Sequence, residues 1–437
     1  MNTPLSDPNL LKTKAFINGE WVDSCSAETF VVNNPANLEM VATVSKCGAE
    51  ETKAAIAAAH HAFSTWSKLA PKKRSELIEV WGDLIVAHAD DLAAILTAEQ
   101  GKPLAEAKGE ILYGASYIKW FSEEAKRVYG DTLANPSSDT RVVCIKQPIG
   151  VVACITPWNF PNAMLARKIA PALAVGCTVV CKPANETPLS ALAITELAVR
   201  AGIPKGVINV VAGNTTEIGR ELTASSLVRK LTFTGSTPVG KKLMADCAAT
   251  MKRTSMELGG NAPFIVFEDA DIDQAIDGLM VSKFRNAGQT CVCSNRILVQ
   301  SSIIEQFIEK LVPAVANLKM GEGVDDEVTV GPLIHEKAAN GVRGLIDDAI
   351  KNGAKVVAGG TDSGLGASFV TPTVLTNVTD SMKIFANEIF GPVAPIFSFD
   401  TEEQAIAMAN DTPFGLAAYF YSRDIGRVWR VFLIIKW

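Results

Sequence analysis

Histidine is scarce in this chain: His60, His61, His88 and His335 are the only four in 437 residues. None stands near a cysteine or in an H-x-x-x-H arrangement, so the spacing that zinc ligands need is missing and no metal site is expected. His60, His61 and His88 fall in Ala- or Leu-rich segments of helical period and read as ordinary helix residues. Acid–base chemistry is left to Glu, Asp, Lys or Cys. Long apolar runs are missing too. The longest uncharged one, Ile169 to Cys181, contains Pro171 and Gly176 and is closed by Lys168 and Lys182. A bilayer span needs ~18 apolar residues, so no membrane partner is expected. Lys+Arg 41 against Asp+Glu 47 gives a net charge of -6 without a basic stripe, which argues against nucleic acid. The N-terminal MNTPLSDPNL has neither a basic start nor an apolar core, and the first arginine is Arg74, so a secretory or transit signal is not expected. Nine cysteines, an odd number, occur singly apart from Cys291 and Cys293, which excludes a disulfide framework and points to the reducing cytosol.

What is present is ample core-forming sequence, 48% hydrophobic against 20% charged. At about 150 residues per domain, the length predicts two or three domains. Apolar residues at three- and four-residue spacing predict helices over 50–68 and 72–100, the second ended by Gly101 and Pro103, and another from about Leu104 to Lys126. Between Gly130 and Pro148 an Asn-Pro-Ser-Ser-Asp turn separates short strand-like runs, which reads as a β-hairpin arm. From Gly150 strands and helices alternate: GVVACI, TVVCKP, VINVVAG and KLTFTGS each precede a helical segment. That pattern implies parallel βαβ units with both sheet faces covered. A second α/β stretch starts at Asn261 with APFIVF, a helix over DIDQAIDGLMVSKFRNAG, and the strands NRILVQ and AKVVAGG.

Five short segments carry candidate chemistry: TPWNFP at 156–161, KPANETP at 182–188, FTGSTPVG at 233–240, MELGG at 256–260 with GQTC at 288–291, and EIFGP at 388–392. Each alone is weak, since a Gly-rich turn is usually only a turn and a lone Cys is more often core than nucleophile. Their order on an α/β frame makes them specific. With them the chain resembles the aldehyde dehydrogenase superfamily from about Phe16 to Arg430, and WNFP with KFRNAGQTCVCSNR is most similar to succinate-semialdehyde dehydrogenases that use NADP. The resemblance implies an α/β, aldehyde dehydrogenase-like fold of two doubly wound domains plus a β-hairpin oligomerisation arm. The cofactor-binding domain would take 1–128 and 149–258, the arm 129–148, and the catalytic domain 259–437. A homo-oligomer, a homotetramer in this family, is implied as well.

The resemblance also assigns roles. Cys291 would attack the aldehyde carbon. A free thiol, of pKa ~8.5, is only slightly ionised at neutral pH yet strongly nucleophilic as thiolate, and the small polar Gly288, Gln289 and Thr290 suit an exposed turn better than core. Glu257 would activate the water that hydrolyses the thioester. Without Cys291 it would read as a solvated strand-end carboxylate. Asn159 would donate to the oxyanion, although a helix N-cap before Pro161 is the common use of such a residue. Lys182, placed with the catalytic group, would reach the cofactor's ribose or phosphate. Gly235 and Ser236, between a strand and a helix, suit a pyrophosphate. Thr156, Pro157, Trp158, Leu258, Glu388 and Phe390 would line the rest of the cofactor site, Glu388 at the nicotinamide ribose. Family members specific for NAD often carry Glu after KPA. Here Asn185 stands there, which favours NADP with NAD possible, while Glu186 would point away in an extended segment. Arg167 and Arg285 match a clamp for a substrate carboxylate. Cys293 matches a redox partner for Cys291, or is a small packing residue.

Four rival readings stay open on the sequence. They are another semialdehyde or aliphatic aldehyde as substrate, a CoA-acylating relative that has no need of Glu257, a cysteine hydrolase, which the missing catalytic histidine disfavours, and an inactive remnant that only binds nucleotide or a homologue. The final VWRVFLIIKW departs from the family after about Arg430 and reads as a shortened C-terminus with a sticky apolar tail.

Overall fold

The computed structural model describes residues 4–135 and 137–435. It divides into two compact units. One comprises Met1–Asn33, Glu39–Gln100 and Ala107–Glu257, the other Asn34–Leu38, Gly101–Glu106 and Leu258–Trp437. The main division thus falls inside the MELGG motif, one residue before the boundary the sequence suggests. Two short segments expected in the first domain belong to the second unit instead. Hydrogen bonds tie them there: Leu104 N–H donates to the Gly323 carbonyl (2.8 Å), and the Asn37 amide donates to Glu322 (3.3 Å).

The first unit is built on a seven-stranded sheet in the order Arg253–Glu257, Val228–Thr234, Val151–Ile155, Thr178–Lys182, Ile208–Val210, Ala15–Ile17, Glu20–Val22. The first five strands are parallel, and the last two form an antiparallel N-terminal hairpin. Every residue of Val151–Ile155 and Thr178–Lys182 is buried. Continuous apolar runs of this kind are what a parallel sheet covered on both faces requires. The chain starts its parallel sheet at the centre with Val151–Ile155, adds two strands to one side, then two to the other. The direction of winding therefore reverses between Val151–Ile155 and Val228–Thr234. At such a reversal the loops leaving the strand ends diverge and open a crevice.

The helix expected over 72–100 is two helices, Pro71–Ala87 and Ala89–Gln100. His88 breaks it with φ -106° and ψ 22°, and its Nδ1 lies 2.9 Å from the Leu84 carbonyl oxygen. The side chain thus competes with the backbone ladder, which periodicity alone does not register. The expected hairpin forms from Asp131–Leu133 and Val142–Cys144, antiparallel and exposed throughout. Pro136 of its turn lies outside the described residues.

The second unit holds a six-stranded sheet in the order Lys355–Ala358, Thr373–Thr376, Val393–Phe399, Ser294–Gln300, Ala262–Val266, Tyr419–Tyr421, parallel except for the antiparallel edge strand Lys355–Ala358. Phe264, Ile297, Val299, Phe307 and Ile396 make one core layer, and Phe267, Leu298, Phe397 and Phe399 make another. The C-terminal segment is the helix Ile425–Ile434. Arg427 anchors it by stacking on Phe267 (4.7 Å) and pairing with Asp269 (2.6 Å) and Glu402 (3.2 Å). Val431 and Ile435 are buried, while Trp429, Phe432, Leu433 and Ile434 are exposed. The apolar tail is therefore amphipathic rather than uniformly sticky. Lys436 and Trp437 lie outside the described residues. Among the described residues no helix is long and apolar enough to cross a membrane.

Candidate active site

In the first unit the candidate residues sit at the carboxyl ends of neighbouring parallel strands. Ile155 leads into Thr156, Pro157, Trp158 and Asn159, Thr178–Lys182 ends on Lys182, Thr234 leads into Gly235 and Ser236, and Arg253–Glu257 ends on Glu257. Thr156 N–H donates to the Lys182 carbonyl (3.2 Å), and Gly235 N–H donates to the Glu257 carbonyl (3.0 Å), so adjacent loops are stitched together. Asn159 is buried, Pro157 and Trp158 are half-buried, and Glu257 and Ser236 are exposed. Ser236 is the N-cap of helix Thr237–Ala248, whose first turn contains a proline. The hydroxyls of Thr156 and Thr234 are buried without a hydrogen-bond partner among the described residues. They flank the reversal of the winding, where a polar ligand would satisfy them.

Burial pushes the Lys182 ammonium down to about 8, against the pull of Glu186, and its Nζ donates to the Pro183 carbonyl (3.0 Å). The segment beyond it corrects one expectation. Residues 185–187 bend rather than extend. The Asn185 amide bridges Gly213 in both directions, donating to its carbonyl (2.7 Å) and accepting from its N–H (3.2 Å). Tied down at 185, the chain turns, and Glu186 stands exposed on the bend.

In the second unit three segments converge. Gly260 N–H donates to Glu388 Oε1 (3.1 Å). A Cβ at Gly260 would strike the Cys291 carbonyl oxygen, and one at Gly288 would strike the Gly391 carbonyl, so both glycines permit backbone approaches that a side chain forbids. The Leu258–Gly260 end of MELGG, GQTC and EIFGP are thereby held together, with Leu258 and Phe390 half-buried in the first and third. Phe390 adopts φ 51°. The helix expected to run to Gly288 stops at Phe284, because Asn286 and Ala287 both take φ 52°. A left-handed Ala costs of order 1–3 kcal/mol, and such strain persists only where surroundings enforce it. Here Gln289 enforces it: its buried amide donates to the Asn286 carbonyl (3.0 Å) and accepts from Ile334 N–H (2.9 Å). Cys291 leaves this turn half-buried, Cys293 is buried, and Arg285 is exposed. The Cys293 thiol faces the Lys283 carbonyl (3.6 Å), and burial pushes it up, opposed by the buried Lys283 ammonium. Tyr419 pins the residue between the two cysteines by donating to the Val292 carbonyl (2.7 Å). Burial also raises Glu388 to about 7, opposed by Gly260 N–H and Lys283.

Several supporting residues were not read from the sequence. Glu110 accepts from Asn162 and Ala163 N–H (2.9 and 3.1 Å), closing the start of helix Pro161–Ala174 just after Asn159. Glu99 accepts from Leu189 and Ser190 N–H (2.7 and 2.8 Å) at the start of the helix that follows KPANETP. Buried carboxylates at these two helix starts satisfy donors the helices cannot use and fix the loops before them. Arg167, in the second turn of Pro161–Ala174, lies over Tyr117 and Tyr113 (4.8 and 5.6 Å). The Y-x-x-x-Y spacing was a usable signal for this pair. Among the described residues no group of three or more His, Cys, Asp or Glu side chains is arranged to hold a metal ion.

The family model described as "Aldehyde dehydrogenase family" matches residues 21–436. The chain belongs to the aldehyde dehydrogenase family. The match runs through the C-terminal helix, so the departure expected after Arg430 is not found. The chain is 58% identical over 427 residues to the 3-sulfolactaldehyde dehydrogenase of Pseudomonas putida, covering 98% of this chain and 88% of that protein. It is 56% identical to the NADP(+) succinate-semialdehyde dehydrogenase of Escherichia coli (strain K12), covering 98% and 89%. A crystal structure of an NADP-dependent enzyme of E. coli superposes with a TM-score of 0.99 at 55% identity, covering 99% of this aldehyde dehydrogenase and 90% of that chain.

Proposed function

We propose that this aldehyde dehydrogenase oxidises an aldehyde bearing an acid group at its far end, succinate semialdehyde foremost, to the corresponding acid with NADP. The observation that carries the reading is the strained turn that presents Cys291, held against Gly260, whose N–H donates to Glu388. The names of the two relatives above support the substrate class, since both describe aldehydes with an anionic group, one a sulfonate and one a carboxylate.

The Cys291 thiolate attacks the aldehyde carbon to form a thiohemiacetal. The Asn159 amide and the Cys291 N–H hold the developing oxyanion, each such donor being worth about 3–4 kcal/mol in well-studied hydrolases. Bound NADP supplies the acceptor for the hydride that leaves this carbon. Glu257 then takes a proton from water, which attacks the Cys291 thioester and frees the acid. The residues present suit such a cofactor: Lys182, the partnerless hydroxyls of Thr156 and Thr234, and the helix start at Ser236 offer donors to its phosphates and ribose, and Glu388 offers an acceptor for ribose hydroxyls. Pro157, Trp158, Gly235, Leu258 and Phe390 complete the proposed lining. The test is reduced-cofactor formation from succinate semialdehyde with each cofactor. We expect turnover, and a KM for NADP about tenfold below that for NAD, since the neutral Asn185 does not repel a 2′-phosphate and Lys182 attracts it. A clear NAD preference overturns the cofactor inference, and absence of turnover overturns the whole.

Arg167 and Arg285 bind the distal acid group in this reading. Arg285→Ala is expected to raise KM for succinate semialdehyde about tenfold or more while barely moving KM for a neutral aldehyde such as butanal. An equal rise for both would remove Arg285 from substrate binding. Cys293 serves as redox partner: peroxide inactivation reversed by thiol should disappear in Cys293→Ala, and its persistence there would exclude the role. The thiol must first leave the Lys283 carbonyl to reach Cys291. We extend the proposal to 129–148 as an oligomerisation arm, on which Leu133, Val143 and Ile145 stand exposed, and to a reducing cytosolic setting, which suits nine free cysteines.

A further inference from the structure

Tyr113 and Tyr117 stand one turn apart on the helix Leu104–Glu124, edge to face, with ring centroids 5.0 Å apart. Their hydroxyls are 2.7 Å from each other. The Arg167 guanidinium lies over both rings, and its Nη2 donates to the Tyr113 hydroxyl at 3.4 Å. Its Nε is buried without a partner among the described residues. Among the described residues no carboxylate pairs with Arg167; its neighbours there are the two tyrosines. An ordinary surface arginine takes an acidic neighbour or water, whereas this cation rests against two aromatic rings with no counter-charge among the described residues.

The proton inventory adds a second observation. The two phenols carry two hydrogens. One is used between the hydroxyls, and the Tyr113 oxygen is occupied as acceptor for Arg167. One O–H is left without an acceptor among the described residues. Burial and the Tyr113 hydroxyl push the Tyr117 phenol up, which favours its protonated, donating form. A fixed cation with a spare O–H donor beside it is complementary to an anionic oxygen group, which gains a charge-assisted bond that a neutral group does not.

We propose that Tyr113 and Tyr117 are specificity residues for the acid end of the substrate: the rings and the Tyr113 hydroxyl hold the Arg167 guanidinium, and the spare phenolic O–H donates a second hydrogen bond to the substrate's carboxylate or sulfonate. This rests on the reading that Arg167 binds that group. Because the guanidinium is already immobilised, less freedom is lost when the anion binds. A neutral aldehyde gains nothing from the arrangement, so the discrimination appears in KM.

The experiment uses the full chain and compares Tyr113→Phe, Tyr117→Phe, the double Phe variant and Tyr117→Leu, with succinate semialdehyde and butanal as substrates. The Phe variants keep both rings and remove only the hydroxyls. The double Phe variant is expected to raise KM for succinate semialdehyde about tenfold, with kcat within about twofold and a much smaller change with butanal. Tyr117→Leu removes the nearer ring and should raise KM further. An unchanged KM in the double variant, with wild-type preference for the acid intact, overturns the tyrosine roles and leaves Arg167 standing. An equal rise for both aldehydes marks the pair as structural and overturns the proposal too. Equal use of the two aldehydes by the wild type overturns the underlying substrate reading instead.

Discussion

Replacing Cys291 by alanine is expected to lower aldehyde-dependent NADPH formation by about 10⁴-fold or more, with NADP binding retained. The size follows from the role: the thiol forms the bond that turns the aldehyde into a hydride donor, and no other group on the turn can substitute. Cys293, the nearest thiol in sequence, is buried and faces the Lys283 carbonyl. Folding should be little affected, because Cys291 is only half-buried and the turn is held by Gln289, by the Gly260 approach and by Tyr419 through Val292. Initial rates and a cofactor titration check this. A loss smaller than about tenfold would show that the nucleophile lies elsewhere.

Glu257→Gln should give a different failure. The thioester forms once, so about one equivalent of NADPH per chain is expected in a burst. Steady turnover then falls by about 10²–10⁴-fold, the range that positioned general bases contribute. Intact-mass measurement should find the acyl group on Cys291. The amide is close in shape to the carboxylate, and the strand is held through the Glu257 backbone to Gly235, so the fold should survive. Loss of the burst together with turnover would place Glu257 before the thioester and overturn its role as the hydrolytic base.

The strands were legible because parallel strands buried on both faces are written as uninterrupted apolar runs, and VVACI and TVVCK are of that kind. The candidate residues were legible because they follow directly on those runs: Thr156 after Ile155, Gly235 after Thr234, and Lys182 and Glu257 at strand ends. The failures have a common cause. The break at His88 depends on a ring nitrogen facing a carbonyl, and the stop at Phe284 depends on left-handed residues held by Gln289 through Ile334. The bend at 185–187 depends on Gly213. Periodicity sees the face a residue presents, not the partner its polar atoms will find.

By itself the sequence determined the α/β alternation, the order of the five motif segments and the chemical types in them, because each of these is a local property of hydrophobic period or residue identity. Tertiary structure alone decided that Gly260 meets both Glu388 and Cys291, that two buried glutamates close the helix starts behind the candidate loops, and that Arg167 rests on two tyrosines with no carboxylate beside it among the described residues. These join residues 31 to 128 positions apart, from Gly260 with Cys291 to Gly260 with Glu388. Such pairings are selected by which backbone and side-chain donors remain unsatisfied once the sheets have formed, and no short window of sequence contains that information.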